Sequence, residues 1–348
     1  MQGGPQSVLM NGEPQNNARR APFFVLGAPR SGTSLLSRML NSHPAVAVPD
    51  ETKIFETFVP LMPLYGDLRQ PARLIRLVED VLRWRWMRRL PHLPATEAVL
   101  NRVASPDLGG VFAALLGLWA ENQGKQCWGE KSPNHLYYWP DIEAAFPEAS
   151  LIHIVRDGRD VAMSLIKAPF GPKTMAMAAE RWVGFVEMIR AIGRRLGPGR
   201  YVEICYEQLL AQPQETITRV LELIGQPFDP AVMQFHVGAR AVATDPVNDA
   251  NIQKPLQPDN AGKWRQQLSL KEIEIFEGIG GETLLACGYP RGTTAAPMGS
   301  AERLMRRYLQ HLPPKVAAMM RNSEGIAEGI ERQRIRWHLL ADRWTGKA

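Results

Sequence analysis

Only three cysteines stand in the 348 residues, Cys127, Cys205 and Cys287, too far apart for a thiolate metal site or a disulfide framework. They read as small buried hydrophobes of a reducing compartment. Residues 1–20 hold Gly, Pro, Gln and Asn without an apolar run, so a flexible leader is expected, with neither signal peptide nor membrane anchor. No transmembrane segment is foreseen, and cytoplasmic residence follows by default. Charge of one sign is also scarce. Lys and Arg number 41 against 35 acidic residues, and of the resulting +6 most lies in Ala301 to Ala348, which carries ten basic and five acidic residues. The rest is nearly neutral, so an anion site there must be built locally, from arginines and backbone amides. What the chain does have is an ordinary globular composition, 45% apolar and 22% charged, which excludes wholesale disorder. There is no internal repeat.

Phe23-Phe24-Val25-Leu26 reads as a buried strand, and Leu35, Leu36, Met39 and Leu40 then recur at helical spacing. The same order returns at Leu151-Ile152-His153-Ile154-Val155, which delivers Arg156 to Asp160 into a turn before the helix Val161 to Lys167. Two strand–turn–helix units imply an α/β fold around a central parallel sheet. Tyr201 to Cys205 is a third strand. Between the units, helices at Pro71–Arg89 and Leu108–Gln123 suggest a helical cap insertion over about 67–125; the first is rich in arginine, a solvated face or one turned to an acidic or amphipathic partner. The domain proper is 21–290. Asp245 to Asp259 is expected to be a long loop ordered by what it touches. Residues 291–348 form a basic helical C-terminal extension, suited to packing on its own body, to a homodimer, or to peripheral contact with a membrane.

Chemistry concentrates in two turns. Gly27-Ala28-Pro29-Arg30-Ser31-Gly32-Thr33-Ser34 lies between a buried strand and a helix, where successive N–H groups and the helix dipole form a P-loop-like cradle for a phosphate. The lysine of the usual nucleotide loop is replaced by Thr33, and the charge comes from Arg30. A kinase needs that lysine and a metal-holding acid, so this loop looks arranged for a transfer that does not require magnesium. The second turn is Arg156-Asp157-Gly158-Arg159-Asp160, with Ser164 on the helix behind it. Ligands of open parallel sheets lie at such strand ends, so the two turns are expected to share one nucleotide, with Arg156 and Ser164 on a second phosphate. Arg159 is expected to pair with Asp160 or another neighbouring acid.

Together with Gly129-Glu130-Lys131-Ser132-Pro133, these segments resemble the sulfotransferase family that uses 3'-phosphoadenylyl sulfate, PAPS, over residues 23 to about 290. In style they are closest to its tyrosylprotein and carbohydrate branch. The resemblance implies that Arg30, Ser31, Gly32, Thr33 and Ser34 hold the 5'-phosphosulfate and that Arg156 and Ser164 hold the 3'-phosphate. It further implies that Tyr206 lies near the adenine, and that Lys254, Gly262, Lys263 and Trp264 belong to a late nucleotide loop. It makes Glu51 the general base, with Asp50 as fallback, and brings Lys131 to the donor sulfate, so that Arg30, Glu51 and Lys131 form the catalytic set. His43, His135 and His153 have no motif behind them. The implied reaction is sulfuryl transfer from PAPS to a hydroxyl, less readily an amine, of a small-molecule, glycan or lipid acceptor, leaving adenosine 3',5'-bisphosphate, PAP, with no metal and no nucleic acid. Phe55, Phe58, Met62, Tyr65, Trp84, Trp86 and Phe170 are candidates for an aromatic entrance. Two rivals remain: a kinase with a degenerate phosphate loop, and a non-enzymatic nucleotide- or polyanion-binding protein.

Overall fold

A computed structural model describes residues 21–237, 253–306 and 322–344. The leader 1–20 and the first half of the expected loop at 245–259 lie outside the described residues. Five strands form one sheet: β1 (Phe23–Leu26), β2 (Val46–Ala47), β3 (Cys127–Glu130), β4 (Ser150–Val155) and β5 (Tyr201–Cys205). Their order is β2-β3-β1-β4-β5 and every pairing is parallel. The register sets Phe23 opposite both Gly129 and Ser150, and His153 opposite both Leu26 and Glu203.

The helices of the first half are α1 (Thr33–Asn41), α2 (Ile54–Phe58), α3 (Met62–Tyr65), α4 (Pro71–Arg83), α5 (Thr96–Arg102) and α6 (Leu108–Glu121). Those of the second half are α7 (Trp139–Ala145), α8 (Gly158–Lys167), α9 (Met175–Leu196), α10 (Tyr206–Ala211) and α11 (Pro213–Leu223). Helices Leu270–Ala286, Ser300–Met305 and Ser323–Trp344 follow.

All four residues of β1 are fully buried, and their alternation splits the core in two. Phe24 and Leu26 face a cluster shared with α4, α6, α8 and α9; Phe23 and Val25 face one shared with α1, α10 and α11. The stretch expected to cap the fold, 67–125, sends Leu77, Val78, Val81, Val99, Phe112 and Leu115 into the first of these clusters. Phe55, Phe58, Tyr65 and Trp84 are buried there as well, so they are core residues and not an entrance; Phe170 stays exposed.

The chain leaves β1 toward β2 and β3 on one side, then crosses to β4 and β5 on the other. The strand order switches direction at β1, and open parallel sheets take their ligands at such a switch, outside the carboxyl ends of the strands. Each strand end delivers one candidate residue: Arg30 after β1, Glu51 after β2, Lys131 after β3, Arg156 after β4 and Tyr206 after β5. Strand order therefore sets them in a row, Glu51, Lys131, the glycine loop with Arg30, Arg156, Tyr206.

Candidate active site

The glycine loop turns sharply because Arg30 and Gly32 both adopt positive φ, 78° and 100°. For an arginine this left-handed conformation is costly. Gly32 has two reasons to be glycine, since a Cβ there would also lie 2.5 Å from Cδ2 of Tyr206. The loop opens straight into α1, whose N-terminus has no side-chain cap. Its first-turn N–H groups are thus without the carboxylate or hydroxyl that commonly accepts from them.

Two contacts join the turns that sequence separates by more than a hundred residues. Arg30 Nε donates to Ser164 Oγ at 2.9 Å, and Arg156 Nη1 approaches the Arg30 carbonyl at 3.5 Å. Arg156 also lies over the Tyr206 ring, 4.4 Å from its centroid, and donates to the Asn260 carbonyl. Asn260 in turn donates to the Tyr206 hydroxyl at 2.8 Å. Burial raises the pKa of that phenol, so it stays neutral. The late loop is tied down by Asp160, which accepts from the Gly262 and Trp264 amides at 2.7 and 2.8 Å. Trp264 is buried under Arg159, whose guanidinium is 3.6 Å from its ring centroid. Lys263 is half-buried and Lys254 exposed.

Of the neighbouring acids expected for Arg159, it pairs with Asp157 and not with Asp160. It is fully buried, grips Asp157 with two hydrogen bonds of 2.8 and 3.0 Å, and reaches Glu277 at 2.7 Å. Glu277 also accepts from the Gly292 and Thr293 amides. Burial alone would raise the pKa of Glu277, but these donors and Arg159 hold it below the usual range. The knot fixes the turn after β4 to the helix Leu270–Ala286.

On the other side of the loop, Lys131 is almost wholly buried. Its Nζ lies 3.1 Å from Glu51 Oε1 and 3.3 Å from Ser34 Oγ. Of the two adjacent carboxylates, 50 and 51, Glu51 is the one that Lys131 contacts. Lys131 is not bonded to its neighbour Glu130, which serves a different purpose. Glu130 is fully buried at the end of β3 and accepts from the backbone and hydroxyl of Thr52 and from Ser132 Oγ, with His135 Nδ1 at 2.7 Å. Burial opposes its charge, yet His135 and these hydrogen bonds keep its pKa low. The turn that carries Glu51 is thereby pinned from below. His43 and His153 are structural. His43 Nε2 faces the Pro227 carbonyl and its Nδ1 accepts from the Ala45 amide; His153 is buried against Tyr201 and Glu203.

Ser31 Oγ and Arg156 Nε are buried without a hydrogen-bond partner among the described residues, and both belong to the segments expected to bind phosphate. They are two of several such atoms among the described residues, Trp139 Nε1 and Trp264 Nε1 included.

The sulfotransferase family matches residues 22–230, more than half of the chain, and the chain belongs to that family. It is similar to an uncharacterised protein of Aquifex aeolicus, 28% identical over 260 residues that make up 71% of this chain and 31% of that protein. It is similar also to a protein-tyrosine sulfotransferase of Drosophila melanogaster, 25% identical over 71% of this chain and 47% of that one. The chain thus spans less than half the length of these two relatives. Among solved structures it superposes on the sulfotransferase domain of a Synechococcus olefin synthase with a TM-score of 0.54 and 26% identity, over 75% of this chain and 95% of that domain.

Asn260, Asp160, Glu130 and the Arg159–Glu277 pair were not foreseen. Asp160 and Arg159 lay inside a recognised motif, but Glu277 and the late-loop amides they meet are a hundred or more residues away, beyond the reach of spacing arguments.

Proposed function

We propose that this chain transfers a sulfuryl group from PAPS to a hydroxyl acceptor, with Glu51 as general base. The observation that carries the proposal is the position of Lys131 Nζ, within 3.3 Å of both Glu51 and Ser34, so that base, cation and phosphate loop are consecutive neighbours. In this reading the donor lies along the row of strand ends. Its 3'-phosphate takes Arg156, with Ser164 and the unmatched Arg156 Nε at hand, and its 5'-phosphosulfate takes Ser31, Thr33, Ser34 and Arg30. The acceptor enters at the β2–β3 side.

As the acceptor oxygen attacks sulfur, its proton passes to Glu51, the bond from sulfur to the bridging phosphate oxygen breaks, and PAP leaves with the new negative charge. Arg30, Lys131 and the α1 amides are donors aimed at that charge, and each is worth roughly 2.7–4 kcal/mol in comparable sites. The phenol of a tyrosyl peptide, the hydroxyl named by the Drosophila relative's activity, belongs among the acceptors to try, beside glycan, lipid and small-molecule alcohols. The test is transfer of label from PAPS to such a panel. Glu51→Gln should lower the rate about 10²–10⁴-fold, the usual contribution of a positioned base. Full activity of that variant would remove Glu51 from the mechanism, and absence of both transfer and PAP binding would remove the function.

A further inference from the structure

The C-terminal helix Ser323–Trp344 lies against the arginine-rich segment that follows α4, and it does so through its carboxylates. Glu324 pairs with Arg85 and Arg89 at 3.0 and 3.1 Å, and Glu331 accepts from the Arg85 amide. Farther along the same face, Leu339 is buried and Asp342 reaches Arg76. Glu328 is the centre of this contact. It accepts from Lys53 Nζ at 2.9 Å, from Trp86 Nε1 at 3.1 Å and from Arg332 at 2.6 Å. Lys53 also lies over the Trp86 ring, 4.0 Å from the centroid.

Lys53 is two residues beyond Glu51, and its backbone has a positive φ of 53°, which a residue with a side chain keeps only when its surroundings over-determine it. Four hydrogen bonds hold the turn from inside: the Thr52 amide and hydroxyl to Glu130, the Lys53 amide to Ser132 Oγ at 3.1 Å, and Trp84 Nε1 to the Thr52 carbonyl at 3.0 Å. From outside, Glu328 and Trp86 hold the Lys53 side chain. We propose that Glu328 is a positioning residue for the acceptor side of the site: by fixing Lys53 it holds the turn at 51–53 so that Glu51 meets Lys131. This rests on the reading of Glu51 as the base, and it gives the C-terminal helix a part in catalysis although that helix supplies no group to the reacting atoms.

Hydrogen exchange followed by mass spectrometry tests the proposal without any acceptor. In Glu328→Gln, amides in the peptide spanning 48–57 should exchange at least tenfold faster, while those spanning 27–34 and the affinity for PAP stay as in the wild type. Lys53→Met removes the same contact without altering the helix, and should give the same result. With PAPS and whichever acceptor the panel yields, each variant should lose about tenfold in kcat with little change in KM for PAPS. The double variant should lose no more than either alone, since the two residues act as one unit. Unchanged exchange at 48–57 in both variants, or additive losses in the double variant, would overturn the proposal. Full activity of Glu51→Gln would instead sink the base assignment and leave the exchange result standing, so the two failures are distinguishable.

Discussion

Substituting Gly32 by alanine probes how the two halves of the site are locked together. Two costs can be read from the structure. The backbone sits at φ 100°, where a Cβ is disfavoured by roughly 1–2 kcal/mol. The new methyl carbon would also lie 2.5 Å from Cδ2 and 2.8 Å from Cε2 of Tyr206. That ring has little room to move, because Arg156 lies over it and Asn260 holds its hydroxyl. Overpacking against a fixed group adds about 1–3 kcal/mol. The sum, about 2–5 kcal/mol, should lower the melting temperature by roughly 3–7 °C in a chain of this size. Since any relief displaces Arg156, the affinity for PAP should fall at least tenfold. Thermal denaturation and calorimetric titration measure the two effects. In a Tyr206→Ala background the overlap is gone and only the backbone cost remains, so Gly32→Ala should then destabilise by about 1–2 kcal/mol. An equal penalty in both backgrounds would refute the packing of Tyr206 on the loop.

Other substitutions follow from the same geometry. Arg159→Met strands Asp157 and Glu277 in a dry interior, and breaking a buried ion pair from one side costs about 3–5 kcal/mol, measurable by urea unfolding. Asp160→Asn removes the carboxylate that accepts from two late-loop amides; protease nicking between 253 and 264 should speed up while the melting temperature falls only slightly. Lys131→Met should lower transfer by about 10²–10³-fold with PAP affinity nearly unchanged, as expected of a donor used mainly in the transition state. For pH, His153 is held below the ordinary histidine pKa by burial, an effect that Glu203 only partly offsets. Below about pH 6.5 the unfolded chain therefore takes up a proton that the folded chain refuses, and stability falls as the pH falls. His153→Gln should flatten the dependence of melting temperature on pH between about 6.5 and 5; an unchanged slope would show that the ring is not kept neutral.

The two phosphate turns were legible because each is a local pattern: a fully apolar strand, a turn with arginine and glycine, then a helix. Strands β2 and β3 were not. Val46–Ala47 is too short to show a period, and Cys127–Glu130 ends in a glutamate that looks like a surface residue until Thr52, Ser132 and His135 are seen around it. Without those strands the spatial row from Glu51 to Tyr206 could not be drawn, although every member of it had been singled out. For the C-terminal extension, packing on its own body was one of the arrangements expected, and the described helix does pack there, but its net positive charge does not show how. Glu324, Glu328 and Glu331 recur on one helical face, where Glu324 and Glu331 meet arginines beyond α4 and Glu328 meets Lys53 and Trp86. Charge counted over a segment hides charge sorted by face.

Titration of PAP into the wild type and into the Arg30→Ala and Arg156→Ala variants tests the central claim most directly, that both turns grasp one nucleotide. A single saturable site should appear in the wild type, and each variant should weaken it at least tenfold while melting within a few degrees of the wild type. No binding by the wild type, or equal affinity in all three proteins, would contradict it.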